Sequence, residues 1–243
     1  MKLQKLLSYV RKAVDDYNMI NEGDKIAIGV SGGKDSLCLL IALKTLQKFY
    51  PKKFELEAIT VSLGLPGSEY DSIRKFCKKI GVNYTVVDTD IGEIVFYERK
   101  EKNPCSLCSK MRKGALNDMA EKLGCNKVAL GHNKDDVIET FFMSLFYESR
   151  INTFAPISYL DRKKIYSIRP LIYVSERQAK NFIIENNINI VKNPCLVEGK
   201  TKRQETKEFI ESLSKQYNNI PQKIFGAIQR SNLKGWEKLR KDE

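Results

Sequence analysis

The stretch IAIGVSGGKDS, residues 26–36, decides the fold of this 243-residue chain. Its apolar half, 26–30, is typical of a short buried strand, and the apolar residues 37–43 that follow it are typical of a buried helix. A helix that opens directly after such a turn has unpaired backbone N–H groups and the positive end of its dipole at its start. The sequence therefore predicts an anion-binding turn at 31–36, and a nucleotide phosphate is the expected ligand.

The residue types within this turn suit a phosphate. Gly32 and Gly33 bring the backbone close to the ligand because neither has a Cβ. Ser31 and Ser36 offer hydroxyl groups, and Lys34 offers a mobile positive charge. The spacing matches neither G-x-x-x-x-G-K-[ST] nor G-x-G-x-x-G, so the turn differs from the common mononucleotide and dinucleotide loops. An ordinary strand-to-helix turn is the alternative, since two adjacent glycines are enough to form one.

Strand-like and helix-like segments alternate along most of the chain. The other strand-like segments are 54–61, 83–87, 127–131 and 165–171, and the helix-like segments lie at 2–20, around 73–80, at 104–123, around 137–146 and from 175 onward. This alternation predicts an α/β fold: a doubly wound, mainly parallel sheet of about five strands flanked by helices, with ligands at the carboxyl ends of the strands. Ser62, directly after 54–61, is a candidate for the nucleotide pocket, with a plain loop residue as the alternative.

The character of the chain changes near residue 200. Residues 1–199 carry the strand signals, whereas 200–243 hold charged helical segments without them. We therefore expect one main domain followed by a small, basic, helical C-terminal extension. The basic face of this extension is either a solvated surface or part of an RNA footprint.

The chain is basic overall, with 42 Lys and Arg against 30 Asp and Glu, a formal charge of +12 and a pI near 9.3. This charge favours a polyanionic partner, although solubility alone also explains it. No apolar run approaches the ~20 residues of a membrane span, and the amphipathic start of the chain differs from a secretory signal. We therefore expect a cytoplasmic protein with no membrane partner, in which the six cysteines do not form structural disulfides.

Three of the six cysteines stand next to a proline or in a C-x-x-C pair: Cys105, Cys108 and Cys195. The other three lie in contexts where small core residues are expected: Cys38, Cys77 and Cys125. Three thiolates suit a 4Fe-4S cluster with one iron free of protein ligands, where a sulfide can bind. Zinc with Cys125 or His132 as the fourth ligand, and a dithiol that carries a persulfide, are the two alternatives.

Several separate segments agree with one known family. SGGKDS at 31–36 resembles the signature of the PP-loop ATP pyrophosphatases, which split ATP between its α and β phosphates and adenylate a substrate. Together with PCSLC at 104–108, GHNKDDVIET at 131–140, RPL at 169–171 and Pro194-Cys195, it resembles the tRNA 2-thiocytidine synthetase family. This resemblance implies an adenine nucleotide alpha hydrolase-like fold and ATP-dependent thiolation of tRNA at a pyrimidine C2 position.

The resemblance also implies cofactors, partners and site residues. ATP, Mg²⁺ and a 4Fe-4S cluster held by Cys105, Cys108 and Cys195 are the expected cofactors, and the expected partners are tRNA and a sulfur donor, either a cysteine desulfurase or free sulfide. The predicted catalytic residues, which hold Mg²⁺, move a proton or offset charge, are Lys34, Asp35, Arg112 and Asp136. The predicted nucleotide-binding residues are 31–36, Ser62, Gly131, Asp135 and Arg169.

Two positions depart from the family pattern. Glu198 occupies the second cysteine position of a downstream C-x-x-C, and Gly131-His132-Asn133 replaces a common His-His pair. Three other functions stay open: a thiolase or desulfidase for another nucleoside, an adenylating ligase that uses an amine nucleophile without a cluster, and a nucleotide-gated RNA-binding protein. The sequence also leaves open whether the chain forms a homodimer.

Overall fold

The computed structural model describes residues 1–67, 70–99, 104–191 and 201–238, and these residues form one six-stranded sheet. The strands are β1 (Asp24–Gly29), β2 (Phe54–Val61), β3 (Asn83–Val87), β4 (Lys127–Ala129), β5 (Ile157–Leu160) and β6 (Ile165–Ile168). Their order across the sheet is β3-β2-β1-β4-β6-β5, and every neighbouring pair is parallel except β5 with β6. The predicted doubly wound, mainly parallel α/β sheet is confirmed.

The helices of the described residues flank this sheet. They are α1 (Leu3–Asp16), α2 (Lys34–Leu46), α3 (Asp71–Ile80), α4 (Ile91–Glu93), α5 (Pro104–Lys122), α6 (Lys134–Glu148), α7 (Glu176–Glu185), α8 (Lys202–Gln216) and α9 (Ile220–Arg230). A π-helical stretch, Ile94–Glu98, continues α4. Cys195, a predicted cluster ligand, lies outside the described residues. Within the described ranges, no helix combines the length and the apolar character needed to cross a membrane.

The chain changes its direction of travel across the sheet between β1 and β4. Ile28 of β1 pairs with Ala58 of β2 on one side and with Ala129 of β4 on the other, so the carboxyl ends of three strands lie side by side. Ligands of doubly wound sheets bind in the crevice at such a point. Residues 31–36, hereafter the phosphate loop, follow β1 here.

The two faces of the sheet are covered by different helices. Ile26 and Ile28 of β1 belong to a large core with residues of α1, α2 and α7, whereas Ala27 between them belongs to a smaller one. This alternation follows from the two-residue period of a strand. Leu116 and Ala120 of α5 are buried in the smaller core, so α5 lies against the sheet close to the end of β1.

The strand β5 is one that the sequence analysis did not predict. It forms the edge of the sheet, where Tyr159 is 47% exposed, so its residues lack the strong apolar signal of the central strands. The antiparallel neighbour β6 is shorter than the predicted segment 165–171. Pro170 has no N–H to donate to a ladder, and the Ile172 N–H bonds back to the Arg169 carbonyl in a turn.

The end of the described chain packs against its beginning. Trp236 is 1% exposed, and its ring meets Tyr17 and Phe225 edge-on, with centroids 6.2 and 5.7 Å away. Gly235 has a φ of +84°, and a Cβ at this position would lie 2.6 Å from the Cβ of Ala155, so the turn before Trp236 requires glycine. Through Phe225, α9 contributes to the large core.

Candidate functional site

The phosphate loop is held in shape by its own hydrogen bonds. Gly33 is the N-cap of α2, and its N–H donates to Ser31 Oγ at 3.3 Å. Ser36 Oγ donates to the Gly33 carbonyl at 2.9 Å and accepts from the Ser31 N–H at 3.2 Å. The loop therefore curls around the amino end of α2, where unpaired N–H groups and the helix dipole favour an anion.

Gly32 is the conformationally demanding position of this loop. Its φ is +82°, in the left-handed region that residues with a side chain rarely adopt. A Cβ at Gly32 would also lie 2.9 Å from Val191 Cβ and 3.0 Å from Ile73 Cδ1. The Val191 N–H donates to the Gly32 carbonyl at 3.0 Å. The segment that follows α7 therefore packs directly against the phosphate loop.

A cavity of about 360 Å³ opens beside this loop, and we call it the thiol cavity. It is lined by Gly29, Val30, Ser31, Ile59, Val61, Phe96, Cys105, Cys108, Ser109, Arg112, Lys113, Leu116, Leu130 and His132. The fold thus brings Ser31 of the phosphate loop together with both C-x-x-C sulfurs and with Arg112. None of these described lining residues is acidic, so the cavity suits an anionic ligand.

Helix α5 supplies the thiols and most of the positive charge. Cys105, Cys108 and Arg112 follow one another at spacings of three and four residues, which places them on one helix face. Cys105 is exposed and Cys108 is half-buried, both in the first turns of α5. Burial, together with the nearby Arg169 charge, lowers the pKa of Lys113. The two sulfurs therefore lie in an electropositive wall of the cavity.

His132 also lines the thiol cavity, as a neutral side chain. Its burial, and then the charges of Arg169, Arg203 and Lys113, lower its pKa to about 3. Nδ1 accepts a hydrogen bond from Arg169 Nε at 3.3 Å, which leaves Nε2 as the protonated nitrogen. A neutral imidazole that can donate from Nε2 is thus fixed at the thiol cavity.

Arg169 lies behind His132 rather than in the cavity wall. It is 5% exposed, and Nη1 donates to the Ala155 carbonyl at 2.7 Å. The guanidinium carbon lies 4.9 Å from the centre of the Phe154 ring. The structure therefore shows this predicted nucleotide-binding residue as a support for His132.

A second, polar cavity of about 200 Å³ lies on another side of the phosphate loop, and we call it the acidic cavity. It is lined by Lys34, Asp35, Asn133, Asp135, Asp136, Glu139, Glu176, Thr201, Arg203, Gln204 and Lys207. Five of these described residues are carboxylates and three are cationic. The excess of negative charge suits a metal cation with oxygen ligands.

The phosphate-loop lysine belongs to an ion-pair chain in this cavity. Lys34 Nζ lies 2.8 Å from Asp35 and 3.1 Å from Glu176, and Glu176 also pairs with Lys207 at 2.6 Å. Burial opposes the charge of Lys34, but Asp35 and Glu176 outweigh it, so its pKa is raised. Lys34 therefore stays charged next to the loop.

The two aspartates that begin α6 have different tasks. Asn133 caps α6 by accepting from the N–H groups of Asp135 and Asp136, and Asp136 accepts from the Asn133 N–H in return. Asp135 instead accepts from the Glu176 N–H at 2.7 Å and so fixes the start of α7. Burial raises the pKa of Asp136. Asn133 also donates to Asp35 at 3.2 Å, which joins α6 to the phosphate loop.

Two other predicted site residues, Gly131 and Ser62, are not among the described residues that line either cavity. A Cβ at Gly131 would lie 3.2 Å from backbone atoms of Asp35 and Ser36, so glycine lets the loop before α6 approach α2 closely. Ser62 is 5% exposed, and its Oγ accepts from the Gly64 N–H at 3.2 Å. Its neighbour Val61, not Ser62, lines the thiol cavity.

The three remaining cysteines are buried. Burial raises the pKa of Cys38 to about 12 and the pKa values of Cys77 and Cys125 to about 11. They are protonated core thiols, as predicted. Among the described residues, no three His, Cys, Asp or Glu side chains converge as a metal site.

Sequence reasoning missed four charged residues of the acidic cavity: Glu139, Glu176, Arg203 and Lys207. Glu176 begins a helix that Ser175 and Gln178 cap, a visible signal, but its pairing with Lys34 joins residues far apart in the chain. Arg203 comes from α8, which sequence analysis assigned to a separate extension. Such long-range pairs leave no local pattern in a single sequence.

Comparison with known proteins agrees with this geometry. A family model described as a PP-loop domain matches residues 3–212. The tRNA-cytidine(32) 2-sulfurtransferase of Saccharophagus degradans is 37% identical over 232 residues, which cover 94% of this chain and 75% of that protein. The tRNA-cytidine(32) 2-sulfurtransferase of Geobacter sulfurreducens is 35% identical over 231 residues, which cover 94% of this chain and 90% of that protein.

The fold is also similar to that of a solved structure. The U34-tRNA thiolase NcsA from Methanococcus maripaludis, with its 4Fe-4S cluster, matches with a TM-score of 0.77 and 26% identity. The match covers 93% of this chain and 77% of NcsA. The sheet, the phosphate loop and these relatives together show that the chain belongs to the PP-loop family and, within it, to the family of the tRNA-cytidine(32) 2-sulfurtransferases.

Proposed function

We propose that this protein thiolates a cytidine of tRNA at C2, with ATP as the activating substrate. The observation that carries this proposal is that Ser31 of the phosphate loop and both C-x-x-C cysteines line one cavity. A site for adenylation and a site for sulfur thus lie within reach of one nucleotide base. The names of the curated relatives supply the cytidine and the tRNA.

The nucleotide fits the cavity with its phosphates at the phosphate loop. Ile59, Val61 and Leu116 give the thiol cavity an apolar wall for the adenosine, next to the aromatic ring of Phe96. Asp35 and Asp136 are the proposed ligands of Mg²⁺, because both carboxylates line the acidic cavity beside the loop. Lys34 of the loop lines the acidic cavity and Arg112 of α5 lines the thiol cavity, and both cations would offset the charge on the phosphates.

The residues also fit a 4Fe-4S cluster held by Cys105, Cys108 and Cys195. Two of these thiols lie in one electropositive wall. The segment 192–200, which contains Cys195, begins after Val191, which is bonded to Gly32, and ends before α8, which Arg203 ties to α6. Because the described residues on either side, Val191 and the start of α8, both lie beside the phosphate loop, Cys195 is the proposed third ligand. A cluster with one iron free of cysteine would supply an activated sulfide.

The reaction then needs two displacements, the first at the α-phosphorus of ATP and the second at the C2 carbon of the base. The C2 oxygen of the base attacks the α-phosphate of ATP, pyrophosphate leaves, and the adenylated oxygen becomes a good leaving group. Hydrosulfide adds to C2, AMP departs with that oxygen, and loss of the proton leaves the thiocarbonyl. Lys34 and Arg112 stabilise the charge on the phosphates, and the His132 Nε2–H can donate to an oxygen of the activated base.

The sulfur comes from a cysteine desulfurase or from free sulfide, and the tRNA substrate places the reaction in the cytoplasm. An adenylating ligase with an amine nucleophile has no use for the two thiols that line the thiol cavity. A thiolase for another nucleoside is the nearest alternative, because the matching solved structure is a thiolase for uridine 34.

Reconstitution under anaerobic conditions tests the proposal. The protein is loaded with iron and sulfide and incubated with ATP, Mg²⁺, sulfide and unmodified tRNA, and the digested nucleosides are analysed by mass spectrometry. We expect 2-thiocytidine together with AMP and pyrophosphate in tRNA-dependent amounts. Thiouridine instead of thiocytidine would reassign the nucleoside, and tRNA that stays unthiolated would overturn the proposal.

A further inference from the structure

A groove of about 420 Å³ lies between α3 and the chain that leaves α7. Its described lining residues are Leu37, Ser72, Ile73, Lys75, Phe76, Lys79, Asn186, Asn187, Ile188, Asn189 and Val191. Ile73 and Phe76 provide an apolar floor, and the lysines and asparagine amides provide polar sides. Neither the thiol cavity nor the acidic cavity shares any of these residues.

The charged residues among the described lining of this groove are both lysines, Lys75 and Lys79. Ser72, Lys75, Phe76 and Lys79 recur at helical spacing, so they share one face of α3. Lys75 and Lys79 are exposed, and neither forms an ion pair with any described residue. The acid on the first turn of α3, Asp71, instead pairs with Arg74 of the same helix at 4.0 Å. Two lysines that pair with no carboxylate in the described part of the chain, beside three amides, form a surface for phosphate groups.

The groove begins at the phosphate loop. Ile73 and Val191 line it, and the same two side chains lie nearest to where a Cβ of Gly32 would be. The Val191 N–H donates to the Gly32 carbonyl. A chain of phosphates in the groove would therefore pass directly beside the loop that binds the nucleotide.

We propose that this groove binds the phosphate backbone of the tRNA substrate and so guides the target base toward the thiol cavity. The inference rests on the proposed function, because it takes tRNA as the substrate. Phosphate contacts of this kind position an RNA without reading its sequence. The Phe76 ring and the asparagine amides suit the sugars and unstacked bases of a loop.

Charge removal in the groove tests this assignment. The variant K75Q/K79Q loses two positive charges from α3, and the control K48Q/K53Q loses two exposed charges between α2 and the start of β2, at the opposite end of the sheet. Binding of in vitro transcribed tRNA is measured by filter binding between 50 and 200 mM KCl, roughly the range over which counterion release is large. Equal thermal unfolding midpoints verify that both variants are folded.

We expect K75Q/K79Q to bind tRNA about tenfold more weakly than wild type, with a salt dependence of log K shallower by about two units. K48Q/K53Q should bind like wild type. Equal tRNA affinity of K75Q/K79Q and wild type, or an equal loss in both variants, would overturn the groove assignment alone. Wild-type protein that binds no tRNA would overturn the proposed function, and the groove assignment with it.

Discussion

The guanidinium of Arg203 donates to the carboxylate of Glu139 at 2.8 Å, across 64 positions of the chain. The same nitrogen lies 3.3 Å from Asp136, a proposed Mg²⁺ ligand. Burial raises the pKa of Glu139 to about 7, although the Arg203 charge opposes the rise. Helix α8 therefore contacts the acidic cavity through Glu139, a carboxylate whose burial disfavours its ionised form.

Replacing Glu139 with Gln should change how stability depends on pH. Since the pKa is about 7 in the folded protein and 4.5 in the unfolded reference, wild type loses stability from this group as pH rises from 4.5 through 7. E139Q has no such loss and keeps an oxygen acceptor for Arg203. We expect the free energy of unfolding of E139Q, relative to that of wild type, to rise by about 3 kcal/mol between pH 4.5 and pH 7.

Chemical denaturation at pH 5 and pH 8 measures the effect of E139Q. The free energy difference between the variant and wild type should be larger at pH 8. An advantage for wild type that grows with pH would show that the ionised Glu139–Arg203 pair stabilises the fold instead.

Adjacent glycines of the phosphate loop should respond differently to alanine. G32A places a side chain at a φ of +82°, against Val191 and Ile73, and should lower stability by about 2 kcal/mol and abolish ATP binding. G33A has a φ of −75°, with Ser31 Oγ as the nearest atom at 3.4 Å, and should stay close to wild type in stability. Urea denaturation and nucleotide titration separate the two variants. Equal losses of stability would contradict the geometry of Gly32.

Cysteine variants should divide into two groups. C105A, C108A and C195A should lose iron, visible absorbance and thiolation while still binding ATP, because the phosphate loop needs none of these thiols. C77A is the matched control: Cys77 is a buried residue of α3, and its replacement should leave the iron content unchanged. Iron and sulfide analysis after anaerobic purification measures the difference. Full iron content in C195A would remove Cys195 from the ligand set.

His132 is the single histidine of the chain, so its charge and tautomer in the thiol cavity can be measured directly. With a pKa of about 3, His132 should be neutral at pH 5, with its proton on Nε2. Nitrogen-15 NMR of histidine-labelled protein reads both the charge and the tautomer without assignment. A midpoint near 6.5, the ordinary value for this side chain, would contradict the buried arrangement with Arg169.

The fold was predictable where local pattern and burial agree. The segments 54–61 and 83–87 have the same bounds in sequence analysis and in structure, because they are rich in β-branched and aromatic residues and are bounded by turn residues. The edge strand β5 was missed, since Tyr159 and its neighbours are half-exposed and carry mixed polarity. The π-helical stretch before α5 has no sequence signal that we recognise.

The candidate site was predictable in its motifs but not in its partners. The phosphate loop and the C-x-x-C pair are short local patterns, whereas their shared cavity depends on where α5 packs on the sheet. Lys34 was predicted to face phosphates, yet Asp35 and Glu176 also engage it. The aspartate pair of α6 was visible, but Arg203 reaches it from α8, across a distance that no spacing rule covers.

Trp236, buried between Tyr17 and Phe225, is the only tryptophan of the chain. Its fluorescence therefore reports on one place, the junction of the first and last helices, and on none of the residues that line the two cavities. The temperature at which this fluorescence is quenched or shifts to the red marks the unfolding of the junction. It can be compared with the temperature at which nucleotide binding is lost. The native chain thus contains an intrinsic fluorescent probe for the order in which its parts unfold.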